Sequence, residues 1–423
     1  MTEHPLQPYA AFRLNFEQQQ KRAKELFKAA KAGDSDALRR LHATEAPPRE
    51  LKLAQAQHCI ARELRFASWA ELKRHLGEMQ RARVRLGAKT LDDDYRTMHI
   101  RCGHDIQRAL REAGLLGTFN LHINPYLQGP VTDAPDWLEQ RARFITDAFG
   151  VYQQHEYAAV LQDLLDEERR LAEASAEYER VVLWLEHDRY DQFVLLRCLA
   201  WFDEHGAPPR LELVGPTDFP GATRFVGLGQ LPPEALRLLW ERRKPINTEQ
   251  LAFGRHAWGA FRAADPRALA AFVRNGTPQL PALAAALHRH LQELPSVKDG
   301  LGLTHRLLLE RLADDGAQRV GKLVGLVMHG DDPLPGLGDL GYDLALRDLA
   351  VPPEPLVLRN REHATDAWHR DDISITDLGL AVLAGKRDAL ELPLPERCVG
   401  GVRIAPRQRT WRWNELTREV ELG

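Results

Sequence analysis

The 423-residue chain lacks the usual marks of a secreted, zinc-bound or membrane-embedded protein. Its four cysteines, Cys59, Cys102, Cys198 and Cys398, form no CxxC pair. Such spacing argues against a disulfide framework or a zinc ribbon and points to a reducing, cytoplasmic compartment. No stretch approaches the roughly 18 uninterrupted apolar residues of a membrane span, so no membrane partner is expected. The first residues, MTEHPLQPYAAFRLNFEQQQ, show no basic-then-apolar leader pattern. A net charge of −3 gives no global attraction to nucleic acid or to anionic lipid. Also missing are a GxGxxG fingerprint, a Walker GxxxxGK[ST] loop and a GxSxG elbow.

What is present is ordinary globular composition, with 44% hydrophobic and 28% charged residues. This length sets a prior of roughly two to four domains. Charge is uneven: residues 1–90 hold 18 Lys/Arg against 10 Asp/Glu. A basic segment of this kind either docks an acidic partner or is a set of solvated helix faces.

Residues 1–88 read as a basic helical arm. Leu26, Phe27, Ala30, Ala37, Leu38 and Leu41 recur at helix spacing, with Gly33-Asp34 between two short helices. A second helical pair follows, with Ser68 as N-cap and Glu71 three residues on. The piece AAKAGDSDALRRL resembles one ankyrin-type unit. One unit cannot stack as a solenoid, so the arm is expected to act as a cap or a protein-docking element.

GAKTLDDD (88–95) reads as a linker, and a second pattern begins after it. TMHIRC, TFNLHI, VVLWLE and RLELVG are strand-like runs that alternate with amphipathic helices. That alternation predicts βαβ crossovers and an α/β domain over 96–222, a Rossmann-like parallel sheet of about four strands. Residues 223–350 read as helical, with a helix-turn-helix-like segment inside SVKDGLGLTHRLLLERLADDGAQRVGKLVGLVMHG. VPPEPLVL reads as a linker. The tail, 356–423, reads as a helix capped by Thr376 and a hairpin of CVGGVRI with RTWRW around APRQ, a winged-helix-like order.

In an open parallel sheet, ligands bind beyond the carboxyl ends of the strands. This rule gathers Gly103, His104 and Asp105 after the first strand, Asn124 after the second, and Glu186, His187 and Asp188 after the third. Gly103 at the strand–RCGHD–helix turn suits a tight backbone and an anion at the helix start. Asp105 reads as either a helix N-cap or a ligand contact. EHDRYDQ is the densest polar cluster: Asp188, Asp191 and Gln192 share one face of the first helical turns. Carboxylates with an imidazole suit acid–base work or a divalent cation, while acids at a helix start also serve the dipole alone. Cys102 reads as a small buried thiol rather than a nucleophile. HRHLQEL, with His288, His290 and Glu293, reads as surface. Trp411 and Trp413 flanking Arg412 suggest a strand with one packed face. The AQRVGKLVGLVM helix is poor in base-reading side chains, which leaves nucleic-acid binding weakly supported.

Three stretches together resemble the bacterial family catalogued as domain of unknown function 1835: MHIRCGHDIQRALREAGLLGTFNLHINPYLQGPV, VVLWLEHDRYDQFVLLRCLAWF and LPALAAALHRHLQELPSVKDGLGLTHRLLLERL. Gly103, Pro125, Gly129, Pro130, Trp184, His187, Asp188, Asp191 and Gln192 fit its pattern. His104 interrupts the expected Gly-Asp pair, and Asn124 stands where an Asp is expected. The resemblance supports the crevice and implies no activity.

The expectation is a ligand-binding or regulatory protein. The crevice residues Gly103, His104, Asp105, Asn124, Glu186 and Gln192 would take a small polar or phosphorylated molecule, and the C-terminal region a partner. An alternative is a hydrolase or transferase for a phosphorylated substrate, with His187 as base and Asp188 or Asp191 orienting it or binding metal. Another is a scaffold acting through residues 1–88. The sequence identifies no cofactor and no particular metal.

Overall fold

Asn15, Asp34 and Ser68 start three of the first four helices by one device: each side chain accepts the backbone N–H three residues on. The described residues of the computed structural model are 9–43, 51–152, 156–221, 225–360 and 365–423. Helices α1 (Phe16–Lys31), α2 (Ser35–His42), α3 (Leu53–Glu63) and α4 (Trp69–Val84) enclose a small core of their own around Ala23, Leu26, Ile60 and Phe66. Gly33, at φ +83°, makes the left-handed break between α1 and α2. The arm is docked on the rest of the molecule. Phe12 meets the Phe219 ring edge-on at 5.9 Å, and Arg13 grips the buried Glu234 with bonds of 2.7 and 3.1 Å.

The four apolar runs form four parallel strands, β1 (Thr97–Arg101), β2 (Thr118–Leu121), β3 (Arg180–Trp184) and β4 (Arg210–Val214). Every residue of β1 and β3 is buried, as strands covered on both faces require. A fifth strand not expected from the sequence, β5 (Lys244–Pro245), pairs antiparallel with β4 and gives the order β2-β1-β3-β4-β5. Two residues, one of them proline, carry too little pattern to be read as a strand, and proline is tolerated there because the position is an edge.

Helices α5 (Gln107–Ala113), α6 (Trp137–Phe149), α7 (Tyr157–Glu177), α8 (Arg189–His205), α9 (Pro233–Glu241) and α10 (Thr248–Arg262) follow in chain order. Val182, Trp184 and Val214 share a core with α5 and α9, whereas Val181, Leu183 and Leu211 share one with α7, α8 and α10. Side chains that alternate along β3 therefore feed opposite layers. The second core also takes residues from α11 (Arg267–Asn275) and α12 (Leu283–Leu291), and extends to Ile404 and Trp413. The expected boundary at residue 222 lies outside the described residues.

The expected GAKTLDDD linker is instead anchored. Asp92 is buried and accepts from Leu116 N at 3.0 Å and Gly117 N at 2.7 Å, with His99 Nε2 at 2.8 Å. Asp94 pairs with Arg180 at 2.7 Å.

Further on, α13 (Leu303–Asp315), β6 (Gln318–Arg319), α14 (Val320–Leu326) and α15 (Asp339–Leu349) lead to β7 (Val357–Asn360) and β8 (Asp372–Ile375). The three strands form an antiparallel sheet ordered β6-β8-β7, and the three helices enclose a separate core around Leu308, Leu323 and Leu346. The VPPEPLVL stretch, expected to be a linker, thus ends in β7. Helix α16 (Asp377–Leu383) starts at Thr376, whose hydroxyl accepts Gly379 N at 3.0 Å.

The hairpin expected around APRQ does not form. β9 (Arg397–Val399) turns on Gly400-Gly401 to pair with β10 (Val402–Ile404), and β11 (Trp411–Asn414) pairs with β12 (Glu419–Leu422). Gly400 has φ +60°, the conformation a two-residue hairpin turn demands, so the Gly-Gly pair captures its own neighbours. No helix among the described residues is long and apolar enough to cross a membrane.

Candidate functional site

The strand order changes direction between β1 and β3, the position where an open α/β sheet leaves a crevice at its carboxyl edge. Arg101, the last residue of β1, fills this position. It reaches across the sheet end to Asp191 Oδ2, to Glu186 Oε1 at 3.2 Å, and to Asp105 with bonds of 2.8 and 3.1 Å; Nη1 also donates to the Trp184 carbonyl at 3.1 Å. The Cys102 thiol donates to Asp191 Oδ1, and burial together with that carboxylate pushes the thiol well above its usual range. Cys102 is therefore a poor nucleophile.

Three carboxylates, Asp105, Glu186 and Asp191, thus hold one guanidinium, and a fourth, Asp188, lies close to Glu186 and Asp191. Burial, with Asp191 beside it, lifts the Glu186 carboxyl to about 7. Burial and the two neighbouring carboxylates likewise raise Asp188 well above the usual range. Oxygens of Glu186, Asp188 and Asp191 come within 4.8 Å of one another, close enough to share a cation.

Several local roles differ from those expected. Asp105 is not the cap of α5: Ile106 holds that position without a side-chain bond, because the Asp105 carboxylate turns back to Arg101. Gly103 has no left-handed φ, and a Cβ there would meet only Asp105 Oδ1, at 3.5 Å. Nothing in the turn requires glycine, and the helix it opens has only seven residues. His104 is exposed, with Gln107 Oε1 at 3.1 Å from Nδ1. Asn124 is buried, and its Oδ1 accepts Arg141 Nη2 at 2.8 Å and Nε at 3.1 Å, which pins the loop after β2.

Asp188 does cap α8, accepting Asp191 N at 2.8 Å. Asp191 is fully buried and spends both oxygens on Arg101, Cys102 and Glu186 N. Gln192 donates to the Glu186 carbonyl at 2.6 Å. The His187 ring stacks on Phe225 at 5.9 Å. Burial lowers its pKa, and among the described residues no hydrogen bond joins it to Asp188 or Asp191. The expected imidazole–carboxylate pair is therefore not assembled.

A loop that the sequence reading passed over covers the cluster. Leu228 N donates to Glu186 Oε2, and a Cβ at Gly229 would come within 2.7 Å of Asp105 Oδ2. A Cβ at Gly227 would collide with Glu186 Oε1. The signal was the GLG triplet just before the LPPEAL helix start.

Beside this cluster, a cavity of about 710 Å³ lies between the carboxyl-edge loops and the C-terminal segments. One wall is the Leu127–Pro130 loop with Arg189; the other comes from α13, α15 and the β9 strand. Gln128 Nε2 bridges the two sides to the Gly341 carbonyl at 3.0 Å, and Tyr152 donates to Asp343. Glu293, expected at the surface, is buried in this wall, and its neighbour His290 is buried as well. Arg189, Glu293 and Arg397 were missed as site residues, although Arg189 follows Asp188 directly and Glu293 stands in the HRHLQEL motif. A smaller cavity of about 510 Å³ lies at the end of β4, with Gln192, Thr217 and Arg242 in its lining.

Comparison with protein-family models and with curated proteins finds no match to this chain.

Proposed function

We propose that the protein binds a small polar ligand in the 710 Å³ cavity and that the ligand ties the carboxyl edge of the sheet to the C-terminal unit. The cavity carries this reading: it has the volume of a small-molecule site, mixes apolar and polar walls, and lies between two separately cored regions. A ligand bound there touches both regions, which suits a regulatory role better than a scaffold role. The Gly103 turn is a weak anion site by comparison, because the Asp105 carboxylate faces it and the helix it opens has only seven residues.

The test is thermal-shift screening against nucleotides, phosphorylated metabolites and other small organic acids, with wild type and a Leu344→Trp variant that fills the cavity. A specific ligand raises the melting temperature by mass action. A shift lost in Leu344→Trp supports the reading. A shift of equal size in that variant, or none with any compound, overturns it.

A second reading is favoured by the proximity of Glu186, Asp188 and Asp191: a divalent cation there would bridge to a phosphorylated substrate, as a metal-dependent hydrolase or transferase requires. Against it stands Arg101, which already supplies positive charge to two of the three. Titration with Mn²⁺ followed by electron paramagnetic resonance decides between them: binding lost in Asp188→Asn favours the cation, and absence of binding removes it.

For the C-terminal unit, the order helix–strand–helix–helix–hairpin supports a winged-helix-like reading in a packing role. In that arrangement α15 stands where a groove-reading helix would be. Gly341, Tyr342, Asp343, Ala345, Leu346 and Leu349 of α15 are buried, so it is poorly placed to enter a DNA groove.

A further inference from the structure

Two guanidinium groups in the cavity wall have more donors than the protein uses. Arg189, fully buried at the first position of α8, donates from Nη1 to Glu293 Oε1 at 3.0 Å, while Nε and Nη2 have no partner. Arg397, at the start of β9, donates from Nη2 to the Glu293 carbonyl at 2.7 Å. Among the described residues this is its guanidinium's only hydrogen bond, and no carboxylate lies within ion-pair distance. Gly302 makes room for it, since a Cβ there would come within 2.9 Å of Nη2.

The surrounding acids are largely engaged. Glu293 Oε1 is shared by Arg189, Arg289 and Thr304. Asp332 takes Nε and Nη2 of Arg289 at 2.9 and 2.8 Å, and accepts from Tyr342 as well. Glu396 pairs with Arg403, and Asp348 faces His305 at 3.8 Å. The inner network thus holds three guanidiniums, Arg189, Arg289 and Arg397, against two carboxylates, Glu293 and Asp332. The buried, unpartnered donors of Arg189 and the excess of positive charge around the cavity are both standing costs, and one arriving anion offsets both.

Building on the cavity reading above, we propose that its ligand carries an oxyanion, a carboxylate or phosphoryl group, bound between Arg189 and Arg397. The body of the ligand would lie against Leu127, Leu337, Leu344 and Val351, which line the same space. Arg397 already lines the cavity; the idle nitrogens of Arg189 have no exposed surface, so this side chain must turn toward the anion. Burial lowers the pKa of both arginines, which marks positive charge that the protein itself leaves undercompensated. A planar guanidinium fork suits an oxyanion better than an ammonium does.

The test uses the full chain, calorimetric titration and three probes in chloride buffer: inorganic phosphate, hexanoate and the neutral hexanamide. The expected result is that at least one anion binds and the amide binds at least tenfold more weakly. Arg397→Gln should weaken anion binding at least tenfold, and Arg397→Lys should recover only part of it. Ligand-free melting curves verify that each variant folds; Arg397 is used because replacing the deeply buried Arg189 endangers folding. The phosphate and hexanoate arms assign the oxyanion. Equal binding of hexanamide, or wild-type anion affinity in Arg397→Gln, overturns the oxyanion and leaves the cavity reading intact. If neither these probes nor the wider compound screen binds, both fall.

Discussion

Arg101 Nη1 and Asp191 Oδ2 form an ion pair with both side chains buried, and this pair locks the end of β1 to the first turn of α8. The same guanidinium serves Glu186 and Asp105, so its removal leaves several carboxylates without a counter-charge. Breaking a buried pair from one side costs roughly 3–5 kcal/mol. Arg101→Met is expected to lose that much stability in urea unfolding. A loss under about 1 kcal/mol would mean that the desolvation of Arg101 already cancels its attraction.

Glu186 gives the cluster a pH signature of defined sign. Its carboxyl titrates near the ordinary 4.5 in the unfolded chain and at about 7 when folded. The folded state therefore holds the extra proton between these values, and the Glu186 contribution to stability is full below about 4.5 and lost as pH rises through about 7. The buried histidines His75, lowered to about 4, and His290, lowered to about 3, act oppositely and cost stability as pH falls below 6.5. The informative quantity is thus a difference. The stability of wild type minus that of Glu186→Gln should fall by up to about 1.4 kcal/mol per pH unit across the Glu186 window. A flat difference would place Glu186 among ordinary carboxylates.

The GLG loop makes a steric prediction free of backbone effects. Gly227 has φ 174°, an extended conformation open to any residue. A Cβ there collides with Glu186 Oε1, the atom held by Arg101. Gly227→Ala should lower the melting temperature more than Gly229→Ala, whose nearest atom belongs to the half-exposed Asp105 side chain. Equal melting temperatures would show that the loop simply lifts away.

The strands were legible because each is a short run between helices, and β1 and β3, buried along their whole length, show the continuous pattern of a doubly covered strand. The helix caps at Ser68 and Thr376 were legible because capping is local. The site was legible only as an address. The carboxyl-edge rule brought Asp105, Glu186 and Asp188 to one place and helical spacing added Asp191, but neither gave the direction of Arg101, which depends on which strands are neighbours. The partner of Asn124 was hidden for the same kind of reason: Arg141 lies 17 residues away on another element. Glu293 reads as surface because HRHLQEL supplies only His290 one turn away and no third ligand; in the fold three arginines converge on it.

The N-terminal arm yields the last prediction. A detachable docking module should leave the remaining protein folded when it is removed. Here Phe12, Met79 and Ala82 of the arm share one core with Leu110, Phe219, Phe225 and Leu239. His75 adds an edge-on contact with Phe219 at 5.4 Å, and Gly221 N donates to the Leu64 carbonyl at 3.1 Å. Deleting residues 1–88 uncovers this apolar face and leaves Glu234 buried without Arg13. A truncated chain is therefore expected to melt well below the full-length protein and to bind a hydrophobic dye that the intact protein does not. The same face touches the loop over Glu186 through Phe225 and Leu228, so the truncation should also weaken whatever the carboxyl edge binds. A truncated protein with unchanged melting temperature and no dye binding would restore the arm to the role of an independent interaction module.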